Sequence, residues 1–551
     1  MNQLYYGDNL DVLRESINAE SVDLIYLDPP FNSQRNYNVL FKTAEGHQSD
    51  AQITAFEDTW HWGEQAEREF TELLRQPNTD VSEMIRSFQR FLGAKNDMMA
   101  YLVMMANRLL ELHRVLKPTG SLYLHCDPTA SHYLRIVLDT VFGVENFQNE
   151  ICWMRTLSKA NVSRRLPNNH DVILAYQKSE AATWNSDAVF QAYDLDDLDE
   201  KTTQKYTSRD SEGRLYQLTS LISPNPDRPN LIYEFMGVTK VWRWTKERMQ
   251  AAYEAGFVIQ TKPGAIPRYK RYLDKQRGKP LGDVWIDIPP LNSQAQERLG
   301  YPTQKPLALL DRIIKASSSE GDVVLDPFCG CGTALHAAHR LNRQWIGIDI
   351  THLAITLIEK RLKDAFPGIT FEVHGTPEDF ASAQDLASRD PYQFQWWACS
   401  LVNAQPYKGK RKGADGGTDG LIFFQDDEAK NLPKKIIVSV KGGGNVGRTM
   451  IADLKNTVDR EKAQIGFLVT LTPPTRPMQL EATTAGYYDS PHSGAFPKIQ
   501  ILTIEGLLSG NESPKYPDLA RGGLNFKQAR KEKRTTDQGT LFDNSPPEDD
   551  A

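Results

Sequence analysis

The sequence predicts an α/β protein with more than one core, and three observations carry that prediction. Short apolar runs ending at turn residues alternate with helix-spaced segments over residues 1–150, and again over 301–380. Between them, 151–300 loses the rhythm and is rich in Asn, Pro, Arg, Tyr and Trp. A third block, 390–510, has strands and helices of its own after a polar stretch around Ser382 to Arg389 that reads as a linker. At 551 residues the chain is too long for one core, and roughly two to four domains are expected.

The elements follow in order. Met1 to Tyr6 enters a strand pattern at once, without the basic and apolar regions of a signal peptide. Ser21 to Leu27 is an apolar run ending at Asp28-Pro29-Pro30, which reads as a buried strand. Leu102 to Leu116 has helical spacing, and the breaker Lys117-Pro118-Thr119-Gly120 stops it and feeds the strand Ser121 to His125. Later come a strand at Val323 to Leu325, a helix from Thr333 to Leu341 and a strand at Trp345 to Ile348. The last block offers an aromatic helix around Tyr392 to Leu401 and strands at Leu421 to Phe424, Lys435 to Lys441 and Ile465 to Val469. The tail 521–551, basic and then acidic, is expected to be disordered.

Composition excludes several classes. Hydrophobic residues at 40% and charged residues at 25% are the mix of a soluble globular protein, and no run of about 18 apolar residues offers a membrane span. Five cysteines in so long a chain make no disulfide framework, so a reducing cytoplasm is expected. The net charge of −7 argues against wholesale coating of nucleic acid. Residues 201–280 nevertheless hold 16 Lys/Arg against 7 Asp/Glu, an excess that could face phosphate; on composition alone, a solvated surface is the simpler reading.

Asp326-Pro327-Phe328-Cys329-Gly330-Cys331-Gly332-Thr333 joins a strand directly to a helix. Glycines there let the backbone curl under a ligand and leave amides free at a helix start. The next strand ends at Asp349, placed to take ribose hydroxyls. The loop lacks the G-x-G-x-x-G spacing of a pyrophosphate cradle, and no Gly-Lys-Ser/Thr follows, so a nucleoside without phosphates fits better; S-adenosylmethionine is such a ligand. Cys329 and Cys331 read as small loop residues rather than zinc ligands, because no second cysteine pair stands nearby.

Asp28-Pro29-Pro30-Phe31 lies at the carboxyl edge of the sheet. Its carboxylate and pre-set proline carbonyls are acceptors, and Phe31 offers a flat face. Such parts suit the exocyclic amine of a flipped base, whose lone pair is delocalised into the ring. A rigid turn with a capping aspartate explains the tetrapeptide equally well on its own.

Taken together with the cofactor loop, the chain resembles the amino-methylating (N6-adenine or N4-cytosine) DNA methyltransferases of the β arrangement. The motifs in order are Tyr6-Gly7-Asp8-Asn9, Asp28-Pro29-Pro30-Phe31, Leu116 to Ser121, Asn149-Glu150-Ile151-Cys152-Trp153, Thr303-Gln304-Lys305-Pro306 and Asp326 to Thr333. The resemblance implies a Rossmann-like methyltransferase sheet, with a catalytic half at 1–150 and a cofactor-binding half at 301–380. It implies that Asp8 meets the cofactor adenine, that Thr303, Gln304, Lys305 and Pro306 help hold the methionine end, and that 151–300 is a target-recognition region for double-stranded DNA. Cytosine-C5 methylation is disfavoured, since none of the five cysteines follows a proline.

In the last block, pairing the strands Leu421–Phe424 and Lys435–Lys441 as a hairpin makes Asp419 and Lys441 neighbours. A carboxylate that holds Mg²⁺ and a lysine that orients water are the core of a phosphodiesterase. The block looks like an Mrr-like restriction endonuclease domain of the PD-(D/E)xK type, departing from that pattern at Ser439, where Glu or Gln normally stands. Asp415 and Glu428 are the nearest acids that could complete the site. The reading is therefore an amino-directed DNA methyltransferase, adenine-N6 favoured, fused to a nuclease-like domain in restriction–modification or defence, with a homodimer left open. Its rivals are a methyltransferase with an inactive DNA-docking domain and a nucleotide-dependent oxidoreductase, the latter disfavoured by the glycine spacing.

Overall fold

The structure is a computed structural model describing residues 2–30, 36–42, 48–57, 62–93, 96–156, 166–196, 198–292, 295, 297–299, 301, 303–407, 417–426, 433–444, 446–517 and 529–532. It divides into two compact units, one of Met1–Asn185 with Asp283–Ala551 and one of Ser186–Gly282.

The first unit is built on a nine-stranded sheet. Its strands are β1 (Gln3–Tyr6), β2 (Val22–Leu27), β3 (Leu116–Cys126), β4 (Phe147–Met154), β5 (His170–Gln177), β6 (Val284–Trp285), β7 (Val323–Asp326), β8 (Gln344–Asp349) and β9 (Glu372–His374). They lie in the order β6-β4-β5-β3-β2-β7-β8-β1-β9. From β3 to β9 every pairing is parallel, while β5 runs antiparallel to both β3 and β4. All six residues of β2 are buried, as a central parallel strand with helices on both faces requires. The helices that matter for the site are α1 (Asn9–Ser16), α2 (Asp97–Val115), α3 (Leu307–Ser317), α4 (Thr333–Arg340) and α5 (His352–Ala365).

The C-terminal block carries α6 (Phe380–Arg389), α7 (Pro391–Leu401) and a five-stranded sheet. In chain and spatial order its strands are β10 (Gln405–Pro406), β11 (Gly420–Phe424), β12 (Lys434–Lys441), β13 (Ile465–Thr470) and β14 (Ile499–Thr503). The expected hairpin is present, with Gly420 opposite Val438 and Phe424 opposite Lys434. α8 (Arg448–Arg460) follows β12 and buries Ile451, Leu454 and Val458.

Four expectations are corrected. Residues 380–389 are a helix and not a linker: the Asp379 carboxylate accepts from the Ser382 amide, the Ser382 hydroxyl accepts from the Asp379 amide, and Ala383 and Leu386 are buried. The helix ends before Lys117 to Gly120 as expected, but that stretch lies inside β3 rather than ahead of it, and the Lys117 ammonium pairs there with Asp23 at 2.8 Å. Residues 151–185 and 283–300 belong to the first unit, since β4, β5 and β6 extend its sheet and bury Trp153 and Trp285. In the tail, residues 529–532 are seated on the first unit: the Glu532 amide donates to the Ala365 carbonyl at 2.8 Å, and Ala529 packs on the core. The rest of 521–551 lies outside the described residues.

The second unit has a sheet in which Arg268–Tyr272 pairs antiparallel with Leu215–Ser220. Its small core gathers Leu221, Phe235, Trp242, Met249 and Val258. Among the described residues, no helix is long and apolar enough to cross a membrane.

Candidate active site

Adjacent parallel strands bring the two motifs together. Leu24 and Ile25 of β2 lie beside Val324 and Leu325 of β7, so the Asp28 turn and the Asp326 loop leave the same edge of the sheet. Asp28, Pro30, Thr303, Gln304, Lys305, Asp326, Phe328, Gly330, Thr333, Asp349 and Asp8 line one cavity. Pro29, Pro306 and Gly332 act from behind it: Pro29 stiffens the turn, Pro306 caps α3, and Gly332 caps α4. Phe31 lies outside the described residues.

The Asp28 carboxylate is paired with the Lys305 ammonium at 2.5 Å, and both side chains are largely buried. Lys305 is held by its neighbours. The Gln304 amide group donates to the Glu297 carbonyl at 2.6 Å and accepts from the Leu299 amide at 2.7 Å. The Glu297 carboxylate in turn accepts the first amide of α3, Leu307, at 3.1 Å. Thus Lys305 bonds to the acid of the turn, and Gln304 bonds to its own segment.

The cofactor loop curls as its glycines permit. Gly330 and Gly332 have φ of 51° and 73°, in the left-handed region. The Gly330 amide donates to the Asp349 carboxylate at 2.9 Å, and the Thr351 amide and hydroxyl donate to its other oxygen at 2.9 Å each. Burial nevertheless pushes the Asp349 carboxyl up to about 6. Burial also raises the Asp326 carboxyl well above its usual range, against a bond from the Phe328 amide. The Cys329 and Cys331 thiols are pushed up by burial too. Beneath the loop the buried Arg361 donates to the Cys331 carbonyl at 2.9 Å and the Thr333 hydroxyl at 3.1 Å.

Several contributing residues were not foreseen. Arg108 donates to Asp8 at 2.8 Å and to Asn9 at 2.6 Å, and Asn9 donates to the Pro327 carbonyl at 2.8 Å. This chain ties α2 and α1 to the cofactor loop; its signal was an arginine inside the apolar stretch Met98 to Leu112. Tyr301 lies against Gly330, marked only as an aromatic two residues before Thr303. Below Asp28, the Tyr26 hydroxyl meets His125 Nδ1 at 3.0 Å, and His125 Nε2 meets Asp171 at 3.1 Å. Burial pushes the Asp171 carboxyl up, but the His125 hydrogen bond and the charges of Lys305 and Arg155 outweigh it and hold the group below its usual range. Strand spacing marks such residues as buried without saying what they bond.

In the C-terminal block Lys441 Nζ lies 3.9 Å from the Asp419 carboxylate, the expected neighbours. The acid also accepts from the Val440 amide at 2.7 Å, the Ser439 hydroxyl at 3.3 Å and the Gln395 amide group at 3.2 Å. This donor set does not fit Mg²⁺, which is held by carboxylate and carbonyl oxygens in near-octahedral geometry. Among the described residues, the side chains of Lys441, Ser439 and Gln395 direct hydrogens at Asp419. Asp415 and Glu428 lie outside the described residues.

An α/β sheet with a glycine loop, a ribose-type acid and an acid–proline turn on one edge defines a class of nucleoside-binding enzyme folds. Within that class the chain belongs to the DNA methylase family, whose model matches residues 22–360. A restriction endonuclease family model matches residues 386–486. The chain is similar to the type II methyltransferase M.EcaI of Enterobacter cloacae, 32% identical over 266 residues that cover 48% of this chain and 57% of that protein. It is also similar to the StyLTI Mod subunit, a type III restriction-modification enzyme of Salmonella typhimurium strain LT2, 26% identical over 62% of this chain and 50% of that one. The chain thus spans about half the length of these curated relatives. Among solved structures, the PvuII cytosine-N4-specific DNA methyltransferase aligns over 65% of this chain and 86% of its own, at 13% identity and a TM-score of 0.32.

Proposed function

We propose that this protein transfers a methyl group from S-adenosylmethionine to the exocyclic amine of a base flipped out of duplex DNA, with adenine N6 favoured over cytosine N4, within a restriction–modification or defence system. The observation that carries this reading is Asp28, held by Lys305 at the rim of the same cavity that Asp349 and the Gly330 loop line.

S-adenosylmethionine, when bound, supplies an electrophilic methyl on a sulfonium sulfur. The chain's own residues do the rest. The Asp349 carboxylate accepts the ribose hydroxyls, and the cofactor loop gives the ligand backbone at close range. The Asp28 carboxylate and a proline carbonyl would accept hydrogen bonds from the two amine hydrogens, drawing the nitrogen out of conjugation so that its lone pair could form the N–C bond as the S–C bond breaks and the thioether leaves, the surplus proton passing from the methylated nitrogen to water. Lys305 fixes the carboxylate in that orientation. Asp, not Ser, precedes Pro29-Pro30, which by resemblance favours adenine.

Incubating duplex DNA with the protein and methyl-labelled S-adenosylmethionine, then analysing the nucleosides by mass spectrometry, tests this. Labelled N6-methyl-2′-deoxyadenosine is expected. N4-methyl-2′-deoxycytidine would overturn the base assignment, and no label in DNA would overturn the whole reading.

A further inference from the structure

The acid of the C-terminal site is already fully engaged. Asp419 is 7% exposed at its side chain, and four donors converge on its carboxylate: the Val440 amide, the Ser439 hydroxyl, the Gln395 amide group and, at 3.9 Å, the Lys441 ammonium. A divalent cation there would have to displace hydrogen bonds from a buried carboxylate whose charge Lys441 already balances.

A second observation lies on the helix that supplies Gln395. α7 also carries Gln393, whose side-chain oxygen accepts the His352 amide at 3.3 Å. His352 opens α5, follows Thr351 of the cofactor cavity and stacks on Tyr6, ring centroids 3.6 Å apart. Two glutamines two positions apart therefore fasten one helix both to the nuclease-type sheet and to the start of α5.

We infer that this site is a structural latch rather than a metal site: Asp419 anchors α7, α7 braces the start of α5, and the C-terminal domain does not cut DNA through Asp419. The inference stands independently of the methyl-transfer reading. A carboxylate awaiting a metal is relieved of repulsion when removed, whereas a carboxylate saturated by donors leaves them unsatisfied in the interior. The two cases therefore predict opposite effects for one substitution.

The test uses the full chain as wild type, Asp419→Ala and the double variant Gln395→Glu/Ser439→Glu. Wild type and Asp419→Ala should give the same Mn²⁺ titration by calorimetry, and neither should cleave duplex DNA in Mg²⁺ or Mn²⁺. Asp419→Ala should melt about 2–4 °C lower, and amide exchange in the peptide spanning 351–358 should speed up several-fold. The double variant, which places two further carboxylates beside Asp419, should gain a Mn²⁺ site. Mn²⁺ binding or cleavage by wild type that Asp419→Ala removes would overturn the inference. So would an Asp419→Ala protein with unchanged melting and exchange, and a folded double variant that still ignores Mn²⁺ would overturn the charge argument behind it.

Discussion

Asp28 and Lys305 come from segments 277 residues apart and meet in a largely buried pair, so the orientation of the acceptor depends on the lysine. Replacing Asp28 with Ala should abolish methyl transfer and leave cofactor affinity within a few-fold, because in the proposed reaction the acid acts on the target amine. Lys305→Met separates two roles. If it positions Asp28, kcat should fall about tenfold to a hundredfold, equivalent to about 1.4–2.8 kcal/mol of an oriented charge pair, with the cofactor Kd little changed. If it holds the methionine end instead, calorimetry will show the loss in Kd. Asp349 carries its own pH dependence. Burial raises its carboxyl to about 6, and in the proposed role the ionised form would accept charge-assisted hydrogen bonds from the ribose hydroxyls. Cofactor affinity should therefore be full above about pH 7 and weaken as pH falls through 6. The folded state holds a proton that the unfolded chain would release, so the sign for stability is the reverse: this group favours folding at low pH and loses that contribution as pH rises toward 6. Asp349→Asn should bind more weakly at pH 8 and flatten the affinity profile; an unchanged profile would mean the acid faces away from the ligand.

At the scale of elements, the loop after β7 is closely constrained. A Cβ on Gly332 would stand 2.9 Å from Ile358 Cγ1, at a φ of 73° that side chains resist. Gly332→Ala should cost about 1–3 kcal/mol of stability and weaken cofactor binding, measured by thermal melting and calorimetry. Ile358→Ala added to it should recover only the steric part. Elements of this kind were legible because their physics is local. The buried strand before Asp28, the loop between β7 and α4, and the hairpin that pairs Asp419 with Lys441 each follow from apolar runs closed by Pro, Gly or Asp. What was illegible depends on partners far along the chain. The stretch from Ser382 to Arg389 looks like a linker until Ala383 and Leu386 are seen to be covered and Asp379 to cap the helix. The glycine and proline of Lys117 to Gly120 rightly mark the end of the helix, but not that the strand already begins at Leu116 and that Asp23 takes the lysine. No spacing rule places Arg108 beside Asp8 or Gln395 beside Asp419, because those contacts are made by tertiary packing.

For the whole molecule, charge is the property that separates one stretch of the second unit, residues 201–280, from the rest. The net charge is −7, and residues 201–280 contribute 16 − 7 = +9, so the remainder of the chain sums to −7 − 9 = −16. Any attraction to a polyanion must therefore be local rather than a property of the whole chain. Arg268 and Arg271, on the strand paired with Leu215–Ser220, are exposed, while Lys270 lies over the Tyr216 ring at 5.5 Å and helps to stiffen the ribbon. Releasing counterions from phosphates makes log K fall with log salt at about 0.9 per phosphate neutralised. The double substitution Arg268→Ala/Arg271→Ala should thus weaken duplex binding almost equally for all sequences and make the salt slope shallower by up to about two. Methyl transfer should suffer through KM, with kcat and cofactor affinity near wild type, because neither residue lines the cofactor cavity. Fluorescence anisotropy with a labelled duplex across a salt series measures the slope directly. An unchanged slope would show that the positive stretch 201–280 is only a solvated one, and the phosphate contacts would then have to come from elsewhere in a strongly acidic remainder.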